Sequence, residues 1–190
     1  GISMGQGVDG GLNEEGLGQA RCLAERLQKE RLDYIYTSDL RRAVVTAECV
    51  ARFHPSTALQ HSTALRERNL GIYEGHPNIE WKKATAASSE PFHLFRPQGG
   101  ESYADLYSRV GVFLQKVKTE HNQNNVLIVC HTGTLTMLLH HILEVPITFE
   151  SYHRLKPGNT AITIVNLDGH ARPKILALNS TDHLSQPLHA

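Results

Sequence analysis

Val126-Leu127-Ile128-Val129-Cys130, followed directly by His131-Thr132-Gly133-Thr134, decides how this chain folds. Five apolar, mostly β-branched residues in a row predict a strand buried on both faces, the pattern of a parallel sheet held between helices. From Thr134 onward Leu135, Met137, Leu138 and Leu139 change to helical spacing, so the strand runs straight into a helix. His131 then lies at the strand's carboxyl end. Ligands of open α/β sheets bind at that end, and the free N–H groups of the following helix favour an anion. A histidine there points to phosphate chemistry.

Working outward, Asn13 caps a helix with Glu14-Glu15 in its first turn and Ala20, Leu23, Ala24 and Leu27 as its buried stripe. Leu32 to Thr37 reads as a strand. Ser38 or Asp39 is expected to cap the next helix, where Ala43, Thr46, Ala47 and Val50 recur until His54-Pro55 ends it. Ser102 opens a long helix with Leu106, Val110, Phe113, Leu114 and Val117 on one face, and the helix after the Val126 strand runs out at Glu144-Val145-Pro146. Two further strands follow, at Ala161 to Val165 and Ile175 to Leu178. Strands alternating with helices predict an α/β fold, a three-layer α/β/α sandwich with a largely parallel central sheet. Between Leu65 and Gly100 glycines and prolines break any period, apart from a short helix near Ile79 to Ala86. So long an irregular insertion marks a lid or wall of a site, with Tyr73, Trp81, Phe92, His93, Phe95 and Arg96 available to line it or to pack locally. The glycine-rich stretch Gly1 to Gly11 reads as a loop.

Composition narrows the function classes. The 190 residues carry 19 basic and 19 acidic side chains without a block of either sign, so neither nucleic acid nor a membrane surface is an expected partner. No apolar run approaches the roughly 18 residues of a membrane span, and the N-terminus has no charged-then-apolar signal, which sets a soluble, cytoplasmic protein as the expectation. Cys22, Cys49 and Cys130 lie far apart in apolar surroundings and read as reduced core thiols. Twelve histidines raise the question of a metal. His140 and His141 point to different faces of one helix, and neither His-x-x-x-His nor His-Glu-x-x-His occurs, so no metal and no cofactor is expected.

Two strand-to-helix junctions carry polar groups: Ser38-Asp39-Leu40-Arg41-Arg42 and His131-Thr132-Gly133. If both strands are parallel, arginine and histidine converge on one sheet edge. The planar guanidinium fork suits phosphate because it binds bidentately and never loses its charge. Taken singly, the arginine pair also fits a solvated helix face, and His131 a satisfied buried histidine. A third element is Glu67 in Leu65-Arg66-Glu67-Arg68-Asn69-Leu70-Gly71. On a loop over an anion site its carboxyl group suits a general acid, its pKa raised by burial and phosphate charge, whereas on the surface it would simply pair with Arg66 or Arg68.

Together these segments resemble the histidine phosphatase superfamily, in its phosphoglycerate-mutase-like branch. The resemblance rests on Thr37-Ser38-Asp39-Leu40-Arg41-Arg42-Ala43 with Thr46-Ala47, Leu65-Arg66-Glu67-Arg68 with Gly71-Ile72-Tyr73-Glu74-Gly75, Gly99-Gly100-Glu101-Ser102, and Cys130-His131-Thr132-Gly133. Leu12-Asn13-Glu14-Glu15-Gly16 with Gln19-Ala20, and Pro157-Gly158-Asn159-Thr160, resemble its flanking motifs, in the family's order. The resemblance implies a phosphatase acting on a small phosphorylated metabolite through a phosphohistidine intermediate, without a metal. Arg42 would clamp the phosphoryl oxygens, His131 would donate a hydrogen bond to them, Thr132 would add its backbone N–H, and Glu67 would protonate the leaving alkoxide and then activate water. A phosphoglycerate or phosphosugar mutase is one alternative, less favoured because the segments around the pocket are short. A non-catalytic phospho-ligand or protein-binding module is another. A homodimer is left open.

One family motif is missing. The nucleophile belongs to an Arg-His-Gly at the end of the family's first strand, and none of the twelve histidines follows an arginine and precedes a glycine. Residues 1–190 are therefore expected to form a single histidine-phosphatase-like domain lacking its first strand, an incomplete copy of an active enzyme. By itself this chain should turn over poorly or not at all.

Overall fold

The computed structural model describes residues 1–167 and 173–185. In chain order the regular elements are α1 (Glu14–Leu27), β1 (Tyr34–Thr37), α2 (Arg41–Ala51), β2 (Leu59–His61), α3 (Asn78–Ala87), α4 (Tyr103–Glu120), β3 (Val126–Val129), α5 (Thr132–Leu143), α6 (Phe149–Leu155), β4 (Ile162–Asn166) and β5 (Lys174–Ser180). Side-chain caps start two of the long helices. Asn13 accepts the Gly16 N–H at 2.9 Å before α1, and Ser102 with Asp105 forms a reciprocal capping box before α4.

Strands β2, β1 and β3 form a parallel sheet in that order, with Tyr34 opposite Val126 and Thr37 opposite Val129. Alternation along the strands makes three layers. Ile35 and Val129 pack with Ala43 and Ala47 of α2, and Leu127 also joins Leu23, Leu27 and Val50. Tyr36, Val126 and Ile128 face the other way, onto Leu106, Val110 and Phe113 of α4 and Met137 and Leu138 of α5. Leu106 and Met137 are fully buried. Truncating either to alanine is worth about 2–5 kcal/mol.

The sandwich predicted from sequence is thus present, with several local departures. Strands β4 and β5 pair antiparallel as a separate two-stranded sheet rather than extending the parallel one. Ile162 of β4 nevertheless packs on the same α1–α2 cluster as Leu127 of β3, so the hairpin continues the middle layer, although among the described residues the two sheets share no ladder. For the same reason β3 is an edge: Val126, Leu127 and Ile128 are only half-buried, where full burial was expected. Helix α2 ends at Ala51, before His54-Pro55, and neither Ser38 nor Asp39 caps it as an N-cap residue. The Arg41 N–H is taken instead by the Asp9 carboxylate at 2.7 Å, which frees Ser38 and Asp39 for other partners. Of the cysteines only Cys49 is buried; Cys22 and Cys130 are half-buried. His140 is a core histidine whose Nδ1 meets the Val145 carbonyl at 2.8 Å, and His141 instead meets the Tyr107 carbonyl at 2.7 Å. Among the described residues no helix is long and apolar enough to cross a membrane.

Candidate active site

Because β1 and β3 are parallel, their carboxyl ends meet. The Ser38 N–H donates to the Val129 carbonyl at 3.0 Å, and Ser38 Oγ lies 2.8 Å from His131 Nε2. His131 is 9% exposed. Burial, then the charges of Arg42 and Arg109, drive its pKa down to about 3, with Asp39 pulling weakly the other way. At neutral pH it is an uncharged imidazole that offers one N–H. Positive charge at the strand ends comes from arginine.

Glu67 reaches the same place from the irregular segment. Its carboxylate accepts the Gly133 N–H at 3.0 Å, in the first turn of α5, and the Arg68 N–H at 2.8 Å. Glycine at 133 is what permits this approach, since a Cβ there would stand 2.3 Å from Glu67 Oε1. Neither neighbouring arginine pairs with Glu67. Arg66 makes two bonds to Asp39, at 2.7 and 2.5 Å, and Arg68 turns into the protein, where it is 3% exposed.

Arg42, at the start of α2, faces the glycine-rich loop. Its Nη2 donates to the Gly5 carbonyl at 2.8 Å and its Nη1 to the Val8 carbonyl at 3.2 Å, with Asp9 Oδ1 3.6 Å away. Burial lowers its pKa, and the charges of Glu67, Asp9 and Glu74 oppose that. The charge of Glu67 acts on Arg42, and that of Arg42 acts on His131. Thr132 is the first residue of α5 and lies beside them.

Three further residues, Arg109, Gln6 and Glu74, hold the segment that carries Glu67, and of these only Glu74 stands in a family-like motif. Arg109 of α4 binds Glu101 through Nε at 3.0 Å and Nη2 at 2.8 Å, and donates to the carbonyls of Ala64, Arg66 and Glu67. It thereby fixes the main chain that carries Glu67. A charged residue between Leu106 and Val110, on the edge of the apolar stripe, was the available hint. Gln6 donates to the Glu67 carbonyl at 2.9 Å, and Glu74 accepts the N–H groups of Gln6, Gly7 and Leu70. Of the predicted wall residues, Phe92 stacks on Tyr103 and Arg96 pairs with Asp105 at 2.7 Å, so both hold structure. A cleft of about 760 Å³ between α1 and the β4–β5 hairpin, lined by Cys22, Arg26, Phe53 and Ile162, includes none of Arg42, Glu67 or His131.

A parallel α/β sandwich that gathers arginine, carboxylate and histidine at its strand ends and helix N-termini has the form of an anion-binding α/β enzyme. Comparison with known proteins makes the class specific. A model of the histidine phosphatase superfamily, branch 1, matches residues 1–181, and the chain belongs to this family. It is 30% identical to phosphoserine phosphatase 1 of Hydrogenobacter thermophilus, over 94% of this chain and 85% of that protein. Phosphoglycerate mutase-like protein 4 of Arabidopsis thaliana is 29% identical over 94% of this chain and 78% of its own length. Among solved structures, YhfR of Bacillus stearothermophilus superposes with a TM-score of 0.84 at 28% identity, covering 96% of this chain and 90% of that one. Mycobacterial glucosyl-3-phosphoglycerate phosphatase in complex with inorganic phosphate gives a TM-score of 0.81 at 26% identity, over 96% and 93% of the two chains. Several of its relatives are therefore phosphatases.

Proposed function

We propose that this domain hydrolyses a small phosphomonoester by two displacements at phosphorus. The observation that carries the reading is that Glu67 accepts the Gly133 N–H in the first turn of α5, two residues beyond His131, with Arg42 near enough for its charge to act on His131 and to be acted on by Glu67. Arg42 would hold the phosphoryl oxygens by charge-assisted bonds, and His131, as a neutral imidazole, would donate one hydrogen bond as negative charge redistributes among them. The Thr132 N–H would add a donor at the helix end. A nucleophilic imidazole forms an N–P bond as the P–O ester bond breaks, and protonated Glu67 gives its proton to the departing alkoxide. Water then attacks phosphorus, Glu67 takes back a proton, and the N–P bond breaks. The cycle uses no metal, and Arg42 supplies the charge that a metal would otherwise bring.

The nucleophile is proposed to come from an additional strand seated against β3. Support comes from the half-buried residues of β3 and from Leu127 and Ile162 sharing one cluster while their strands remain unpaired. A single domain short of that strand fits both facts.

The test is an assay of the protein as its gene encodes it, including any residues that precede Gly1. Phosphate release and an acid-labile, base-stable phospho-adduct are expected, with Arg42→Ala and His131→Ala each lowering turnover at least about a hundredfold. A second reading, a phospho-ligand-binding module, draws on the missing Arg-His-Gly and on the carbonyl partners that already occupy Arg42. Phosphate binding without adduct or turnover would establish it in place of the enzyme. Phosphoryl transfer between two esters would instead mark a mutase.

A further inference from the structure

Arg68 is the one residue in this neighbourhood whose chemistry the phosphatase reading leaves unused. It is 3% exposed, and both Nη1 and Nη2 are buried with no hydrogen-bond partner among the described residues. Its guanidinium lies between two rings, 4.0 Å from the centre of Tyr103 and 5.1 Å from that of Trp81. No carboxylate among the described residues pairs with it, although Arg66 and Arg109 on either side of Glu67 each have one.

Arginine does not deprotonate in a protein, so this charge cannot be removed by titration. An unpaired buried charge costs several kcal/mol, whereas a ring face returns roughly 0.5–2 kcal/mol. The two rings therefore stabilise the cation without replacing an anion. Glu67 lies next in sequence, and the charges of both Glu67 and Arg68 act on the hydroxyls of Tyr103 and Tyr152, whose rings pack 4.7 Å apart.

The outer cover is weakly held. Trp81 belongs to α3, a helix with no buried residue, tied mainly at its start through Asn78 to Gly1 and Ser3.

We propose that Arg68 is a specificity subsite for a second anionic group, so that the preferred phosphomonoester carries a carboxylate or a second phosphate beyond its ester oxygen. The inference rests on the phosphatase reading for its first phosphate. Trp81 is the cover that the second anion displaces.

The chain has one tryptophan, so its emission reports on this site alone. O-phosphoserine and O-phosphoethanolamine, which differ only by a carboxylate, are titrated by calorimetry and by Trp81 fluorescence, beside propane-1,3-diyl bisphosphate, 3-hydroxypropyl phosphate and inorganic phosphate. In at least one pair the ligand with the extra anion should bind tenfold or more tightly, and it alone should shift Trp81 emission. The pair that responds distinguishes carboxylate from phosphate. Arg68→Met should erase the preference while inorganic phosphate binds within twofold of wild type, Arg68→Lys should restore part of it, and Trp81→Ala should tighten the doubly anionic ligand a few-fold. Equal binding within both pairs, or a preference that survives Arg68→Met, overturns the subsite and leaves the phosphatase reading standing. If Arg68→Met does not fold, Trp81→Ala decides, and unchanged selectivity there overturns the subsite. Failure of wild type to bind any phosphate compound overturns both.

Discussion

Residues 62–75 and helix α3 follow one another in the chain and differ in an instructive way. The first segment has no α-helix or strand, only single 3-10 turns at Thr63–Leu65 and Gly71–Tyr73, yet its main chain is bonded by Arg109, Glu101, Glu74, Gln6 and Thr134. The second is a regular helix of ten residues that buries none of them. Helical hydrogen bonds satisfy a segment internally and do nothing to fix it to its surroundings. Carboxylates and a guanidinium that reach across from other elements do. The catalytic candidate Glu67 sits on the irregular, pinned segment, and the cover over Arg68 sits on the regular, loosely attached one.

The largest effect expected from this contrast is at Arg109. Replacing it by methionine removes the cation paired with Glu101 and one donor from each of three carbonyls, and should cost about 3–4 kcal/mol in chemical denaturation. A loss below about 1 kcal/mol would break the claim that side chains pin this segment.

His131 tests the floor of the site against which the segment is pinned. Its folded pKa, near 3, lies below the unfolded value near 6.5. The unfolded chain therefore binds more protons between those limits, and stability falls as pH falls. About 3 kcal/mol should be lost between pH 7 and pH 4 on this account, with His131→Gln flattening that part of the profile. A profile identical in the variant would show that His131 titrates normally.

Gly133→Ala forces a methyl group against Glu67 Oε1 and should cost about 1–3 kcal/mol, with inorganic phosphate binding weakened in titration calorimetry. Unchanged stability would mean that the pinned carboxylate moves freely. Smallest is Trp81→Ala, expected to change global stability by less than about 1 kcal/mol while amide exchange across α3 speeds up. Slow, globally limited exchange in α3 would erase the contrast altogether.

The two strand-to-helix junctions were legible because a run of apolar residues ending in polar ones has one physical meaning in a parallel sheet. His131 and the Arg41-Arg42 pair followed from that, whereas the choice of Arg42 and the role of Glu67 came from the family resemblance. The bonds that Arg109, Gln6 and Asp9 make to Arg66, Glu67 and Arg41 were not legible, since those partners lie 32 to 61 residues away along the chain. Helix α6 was missed because seven residues show little periodicity, although its capping box at Thr148 and Ser151 was a usable signal. Strand β2, three residues long, gave none. The alternative for Glu67, an ion pair with a flanking arginine, is not formed, because Arg66 turns to Asp39 and Arg68 into the protein.

The grip of the glycine-rich loop on Arg42 has a thermodynamic corollary. An anion that takes the N–H groups now given to Val8 and Gly5 displaces those carbonyls, so the loop loses two anchors in the same event. Ligand occupancy and loop order then form one linked equilibrium. Whatever fastens residues 5–11 weakens the ligand by a fixed factor, and the ligand loosens the loop by that same factor.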